Sequence, residues 1–123
     1  MHLQEKTVKS DVVYEGPIFT ITHDIAELEN GKNSVRDVLH HHGGVCVVPV
    51  TENNEIYLVR QFRYPFAVVT TEVPAGKLEK GEDHAACGRR ELLEEVGCEC
   101  SEFIYLGEML PTPAYDTEIT HMY

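Results

Sequence analysis

The sequence predicts a mixed α/β (α+β) fold. Three observations carry this: a series of short extended segments up to Pro74, one helix bounded by Asp83 and Gly97, and strand pattern again after it. At 123 residues the chain fits one domain with a single hydrophobic core. Its 42% hydrophobic and 25% charged residues are an ordinary globular balance rather than a disordered one.

The elements follow in order. Residues 18–28, IFTITHDIAEL, are rich in β-branched side chains with partial alternation and read as a strand. Asn30-Gly31 predicts a type I′ hairpin turn, with 34–40 as the returning strand. Gly43-Gly44 breaks that strand, and the apolar run 45–50 predicts a buried one. The polar turn TENNE leads into IYLVRQF, and residues 68–73 form another extended stretch closed by Pro74. Asp83 is placed as the N-cap and Gly97 as the C′ residue of a helix of about four turns. EFIYLGEML then reads as a strand, PTPAYD as a loop and TEITHMY as the start of a further strand. ITHMY still alternates where the sequence stops, which predicts a fragment of a longer protein.

Charge narrows the function. The formal net charge is −11, which opposes nucleic-acid phosphate and argues against a DNA or RNA binder. A phosphate substrate stays compatible if a divalent cation stands between carboxylates and phosphate. No apolar run approaches the ~20 residues of a membrane span, and the first thirteen residues contain no signal-peptide core, so a cytoplasmic location is expected. Cys46, Cys87, Cys98 and Cys100 form no C-x-x-C pair and are expected as reduced thiols. A zinc site from Cys98, Cys100 and the run His40-His41-His42 is disfavoured, because the spacing fits no familiar pattern.

The informative segment is GKLEKGEDHAACGRRELLEEVGC. At about 100° per residue, with Glu91 at 0°, Glu95 falls near ~40° and Glu94 near ~300°. Three carboxylates therefore share one face, and Ala85, Ala86, Leu92, Leu93 and Val96 form an apolar stripe on the far side. Like charges four residues apart cost a few tenths of a kcal/mol, and acids near a helix C-terminus oppose its dipole. A solvated acidic face with Arg90 paired to Glu94 accounts for the helix alone; a hard divalent cation accounts for it better once the preceding context is included.

That context resembles the Nudix box, G-x5-E-x7-R-E-U-x-E-E-x-G-U, where U is a bulky apolar residue. Gly76, Glu82, Arg90, Glu91, Leu92, Glu94, Glu95 and Gly97 match, and Cys98 is a soft match at the last position. Seven fixed identities recur by chance in about one window in a billion, so the box at 76–98 is a strong signal. The resemblance implies an α/β/α sandwich with a mixed sheet, here C-terminally truncated, in one Nudix domain: a strand region over 1–42 and a core over 43–123. It implies magnesium, with manganese as a substitute. Glu91 and Glu95 would be the principal ligands and Glu94 a ligand or water-orienting partner. Glu82 would act in the outer shell and Arg90 would orient a glutamate. Gly76 would permit a tight loop conformation. Gly88 is no box requirement; beside the carboxylates, it is expected to allow close approach of ligand or backbone.

Outside the box the chain resembles the ADP-ribose pyrophosphatase branch through GPIFTI, SVRDVLHHHGGVCVVPV, YLVRQFRYP, TTEVPAGKLEKGE, and Pro113 fifteen residues after the box. By that resemblance Arg36 and Arg63 would hold diphosphate or ribose, Glu72 would bind ribose, and the Ala75 carbonyl would contact metal. Phe19 would stack on adenine or pack in the core. The implied reaction is hydrolysis of ADP-ribose to AMP and ribose 5-phosphate, with the general base beyond residue 123. The implied assembly is a homodimer with exchanged N-terminal strands, placing Arg36 near the partner's site. Two alternatives stay open: another nucleoside-diphosphate sugar or a nucleoside triphosphate as substrate, and a Nudix module that binds a small nucleotide without turnover.

Overall fold

The computed structural model describes residues 3–123, which form two compact units: the chain up to His42 with Leu110–Glu118, and Gly43–Met109 with Ile119–Tyr123.

In the first unit, β1 (Glu5–Glu15), β2 (Phe19–Leu28) and β3 (Asn33–His41) form an antiparallel sheet in that order. The segment 110–118 joins β3 through the bridge Leu39–Asp116. Thr22 and Ala26, on one face of β2, are buried. The sequence gives no sign of β1, because all eleven of its residues are exposed and no apolar alternation marks a buried side. The β2–β3 turn differs from the expected type I′. Gly31 alone of the turn has positive φ (76°), its N–H donates to the Leu28 carbonyl at 2.8 Å, and Leu28 N–H donates to Lys32. This is a type I turn closed by a glycine bulge, and the Asn30 side chain takes the Lys32 N–H at 3.0 Å. That bond lets Asn30 keep an ordinary backbone conformation.

In the second unit, β4 (Gly44–Cys46), β7 (Ala75–Lys77), β8 (Gly107–Met109) and β9 (Thr120–Met122) form a sheet ordered β7-β4-β9-β8. It is mixed: β4 runs parallel to β9 and antiparallel to β7. A separate antiparallel ribbon pairs β5 (Val59–Arg63) with β6 (Val68–Glu72), joined by a 3₁₀ turn at Tyr64–Phe66. The expected strand over 45–50 shortens to β4. Val47 N–H still donates to the Pro74 carbonyl at 2.9 Å, but Pro74 has no N–H to return the bond, so the ladder ends. Of the expected strand 102–110, Gly107–Met109 forms β8 and the Leu106 N–H donates to the Met122 carbonyl at 2.8 Å, while Ile104 and Leu106 are exposed.

The helix α1 (His84–Val96) begins where Asp83 accepts the Ala86 N–H at 2.9 Å and ends at Gly97, whose left-handed φ of 73° lets its N–H reach the Leu93 carbonyl. It packs against β7 and β4. The core is Val45, Val47, Cys87, Leu92 and Tyr123, with Phe103 stacked on Tyr123 at 4.2 Å. The buried face of α1 overlaps the predicted stripe in part: Leu92 is buried and Ala85 and Val96 pack on the core as expected, but Cys87 and Gly88 are buried as well, whereas Ala86 and Leu93 are exposed. It is rotated toward Glu91 and Glu95, because small residues rather than large ones let the helix approach the sheet there. All four cysteines are free thiols. No helix among the described residues is long and apolar enough to cross a membrane.

Candidate active site

Two glycines set the position of α1. A Cβ on Gly88 would lie 2.8 Å from Phe103 Cζ and 2.9 Å from Val45 Cγ1, so this glycine admits core side chains, not the ligand or backbone expected from sequence. A Cβ on Gly76 would overlap the Glu91 carboxylate. Gly76 lacks the positive φ of a tight loop. It is glycine because Glu91 crosses its backbone, which corrects the expectation of a special loop conformation.

The helix carboxylates are held in two different ways. Arg90 Nε and Nη2 donate to the two oxygens of Glu82 at 3.1 and 3.2 Å, and its Nη1 donates to Glu91 at 2.7 Å and Glu94 at 3.4 Å. One guanidinium thus ties the loop before α1 to two helix glutamates. Its hydrogen bond, with that from the Glu79 N–H, holds the Glu82 carboxyl below the usual carboxylate range. In return Glu82 and Glu91 raise the Arg90 pKa. Glu95 is held by neutral donors instead: Gln61 Nε2 at 3.0 Å on one oxygen and the Ala75 N–H at 3.1 Å on the other.

Both Glu91 and Glu95 therefore rest on β7, at neighbouring residues Gly76 and Ala75. In the antiparallel ladder Pro74 faces Val47 and Gly76 faces Val45, so alternation turns the Ala75 N–H and C=O together away from β4. Glu94 lies outward, its side chain 60% exposed.

The β5–β6 ribbon adds a polar face. Its register pairs Gln61 with Thr70 and Val59 with Glu72, so Gln61, Arg63, Thr70 and Glu72 project to one side. Arg63 grips Glu72 through Nε at 2.7 Å and through Nη2, and the Thr70 hydroxyl donates to the same carboxylate. The Arg63 bond first, then that of Thr70, lowers the Glu72 pKa to about 2. Glu72 raises the Arg63 pKa in return, with a further contribution from the charge of Glu95.

Hard oxygen donors on Glu91 and Glu95 beside an outward carbonyl suit a hard divalent cation by chemistry. Among the described residues, no three His, Cys, Asp or Glu side chains stand close enough together to hold an ion as placed. Glu91 and Glu94 are turned to Arg90, and Glu95 to Gln61 and Ala75.

Comparison with known proteins supplies the family. A NUDIX domain matches residues 40–123, and a nucleoside diphosphate sugar hydrolase N-terminal domain matches residues 5–39. The chain belongs to the Nudix family. It is 40% identical over 120 residues to a methanol dehydrogenase activator of Bacillus methanolicus, covering 98% of this chain and 65% of that protein. It is 36% identical over 121 residues to an ADP-ribose pyrophosphatase of Bacillus subtilis strain 168, covering 98% and 65%. The chain thus spans about two thirds of the length of these relatives, 65% in each case. A crystal structure of an ADP compounds hydrolase superposes with a TM-score of 0.85 at 21% identity, covering 99% of this chain and 67% of that one, and shares the fold.

Within this Nudix core the structure brings together Glu82, Arg90, Glu91, Glu94, Glu95 and Ala75, with Arg63 and Glu72 on the nearby ribbon. Arg36 and Phe19 belong to the first unit. Arg36 pairs there with Glu5 at 2.6 Å, and the half-buried Phe19 ring lies 5.7 Å from Tyr14, outside the core cluster. Sequence reasoning missed Gln61 and Thr70. The alternation of the VRQFR strand, which places Gln61 on the side of Arg63, was the signal available for Gln61.

Proposed function

We propose that this Nudix chain supplies the core of a magnesium-dependent hydrolase of nucleoside diphosphate derivatives, with ADP-ribose cleaved to AMP and ribose 5-phosphate. The observation that carries the reading is the placement of Glu91 and Glu95 on adjacent residues of β7, opposite the Arg63–Glu72 face. A relative named ADP-ribose pyrophosphatase supports the choice of substrate.

Glu91, Glu95 and the Ala75 carbonyl would hold the ion, with Glu94 beside them and Glu82 behind Arg90. Bound there, magnesium would neutralise diphosphate charge and lower the pKa of a water. Arg63 then exchanges its carboxylate partner for phosphate oxygens of the same planar geometry, and Glu72, released, accepts from ribose hydroxyls. Arg36 would contribute from an N-terminal strand exchanged within a homodimer, and Phe19 would lie against the base. Manganese would substitute for magnesium, and a cytoplasmic location belongs to the same reading.

The test is turnover of ADP-ribose, ADP-glucose, GDP-mannose and 8-oxo-dGTP with and without magnesium. We expect ADP-ribose to lead in kcat/KM, and Glu95→Gln to lose more than about 100-fold, beyond the loss usual for a residue outside the metal's direct ligands. Another substrate leading by tenfold would overturn the choice of ADP-ribose. A second reading comes from the relative named methanol dehydrogenase activator: a nucleotide-binding module that regulates another protein. Magnesium-dependent ADP-ribose binding without product release would favour it.

A further inference from the structure

We infer that Gln61 is a positioning residue for Glu95, holding that carboxylate ready for a cation without neutralising it. This rests on the reading of Glu95 as a metal ligand. The four carboxylates around Arg90 and the ribbon contrast sharply with Glu95. Glu82, Glu91, Glu94 and Glu72 each bond an arginine, and each must share its charge with a guanidinium before it can share it with an ion. Glu95 bonds two neutral N–H groups from two different strands, Gln61 on β5 and Ala75 on β7. One donor would fix a single oxygen and leave the carboxylate free to rotate about it. Two donors, one per oxygen, fix its plane.

Neutral donors orient through dipoles, so Glu95 gives up none of its charge to a directly bonded guanidinium, and Arg63 acts on it only at longer range. A lysine or arginine at position 61 would orient it as well but would compete with the ion for the same charge. Gln61 has the reach and the right donor. Its place on β5 opposite Thr70, in a ribbon whose same face carries Arg63 and Glu72, ties the alignment of Glu95 to the strand that presents the phosphate-binding guanidinium.

The test is a double-mutant cycle on manganese binding, read by electron paramagnetic resonance of the free ion. The proteins are the full chain, Gln61→Met, Glu95→Gln and the double variant. Gln61→Met keeps the length of the side chain and removes the donor. Gln61→Asn keeps the amide but falls one methylene short, and it serves as the second variant should the first fold poorly. We expect each Gln61 variant to weaken binding about tenfold to a hundredfold, the scale of one hydrogen bond to a charged group. We expect no further effect of Gln61→Met in the Glu95→Gln background. The loss of turnover in Gln61→Met should be recovered at raised metal concentration, which a damaged fold would not allow. Binding in both Gln61 variants equal to that of the unaltered chain overturns the inference while the metal reading stands. Equal binding by the unaltered chain and Glu95→Gln overturns both.

Discussion

Gly76 is a residue whose identity is set by a side chain fifteen places further on in the 76–98 box. Because a Cβ there overlaps the Glu91 carboxylate, Gly76→Ala forces Glu91 away from β7 or α1 away from the sheet. We expect a loss of about 1–3 kcal/mol, the usual range for overpacking, in thermal unfolding, together with reduced magnesium-dependent turnover. Glu72 supplies a pH test. Its folded pKa of about 2 lies below the ordinary 4.5, so its contribution to stability is present above about 4.5 and is lost as pH falls toward about 2. Arg63→Met removes the largest cause of the depression. An NMR titration of the Glu72 carboxyl should then move up toward 4.5, and the acid limb of stability between those values should flatten. An unmoved titration would show that the ion pair does not set it.

At the scale of elements, α1 was legible where its signals are local and opaque where they are not. Asp83 and Gly97 cap the helix with groups three or four residues away, and the sequence displays both partners. The buried face was read in part: Leu92, Ala85 and Val96 pack inward as the stripe predicts, but positions 87 and 88 fell outside it because apolar side chains were assumed to do the burying. In fact Gly88 and Cys87 face inward, and their small size brings Glu91 and Glu95 to β7. Alanine at position 88 therefore sets helix propensity against packing. Propensity favours it by about 1 kcal/mol, and contacts below 3 Å to Phe103 and Val45 oppose it by about 1–3. We expect Gly88→Ala to unfold at lower denaturant with an unchanged m-value; a higher midpoint would show that Phe103 gives way. β7 is a strand because β4 and the Ala75–Glu95 bond make it one, and Ala-Gly-Lys has no β-propensity of its own to display.

For the whole molecule, an excess of eleven negative charges is a self-repulsion that ions relieve. Monovalent salt relieves it diffusely, whereas an ion held by Glu91 and Glu95 stabilises by mass action, about 2.7 kcal/mol at a hundredfold excess over Kd. We expect magnesium to raise the unfolding midpoint by several degrees beyond potassium chloride at equal ionic strength, and Glu95→Gln to erase the difference. Equal shifts from the two salts would refute specific binding. The box identified the family and the helix from sequence because it is local and dense in fixed residues. The opposite case is β1, whose eleven exposed residues are ordered by pairing with β2 and by the Glu5 bond to Arg36, partners distant in sequence that no local pattern announces.

Cys87 has no accessible surface, its Sγ donates to the Lys77 carbonyl, and burial pushes its thiol up to about 11. A thiol in that state is chemically silent while the helix sits on its sheet, and it turns nucleophilic only during the interval in which the two part. The protein therefore carries its own stopwatch. The pace at which a disulfide reagent finds Cys87, after the three more accessible thiols have been consumed, times the opening of the glutamate-bearing helix without any added label.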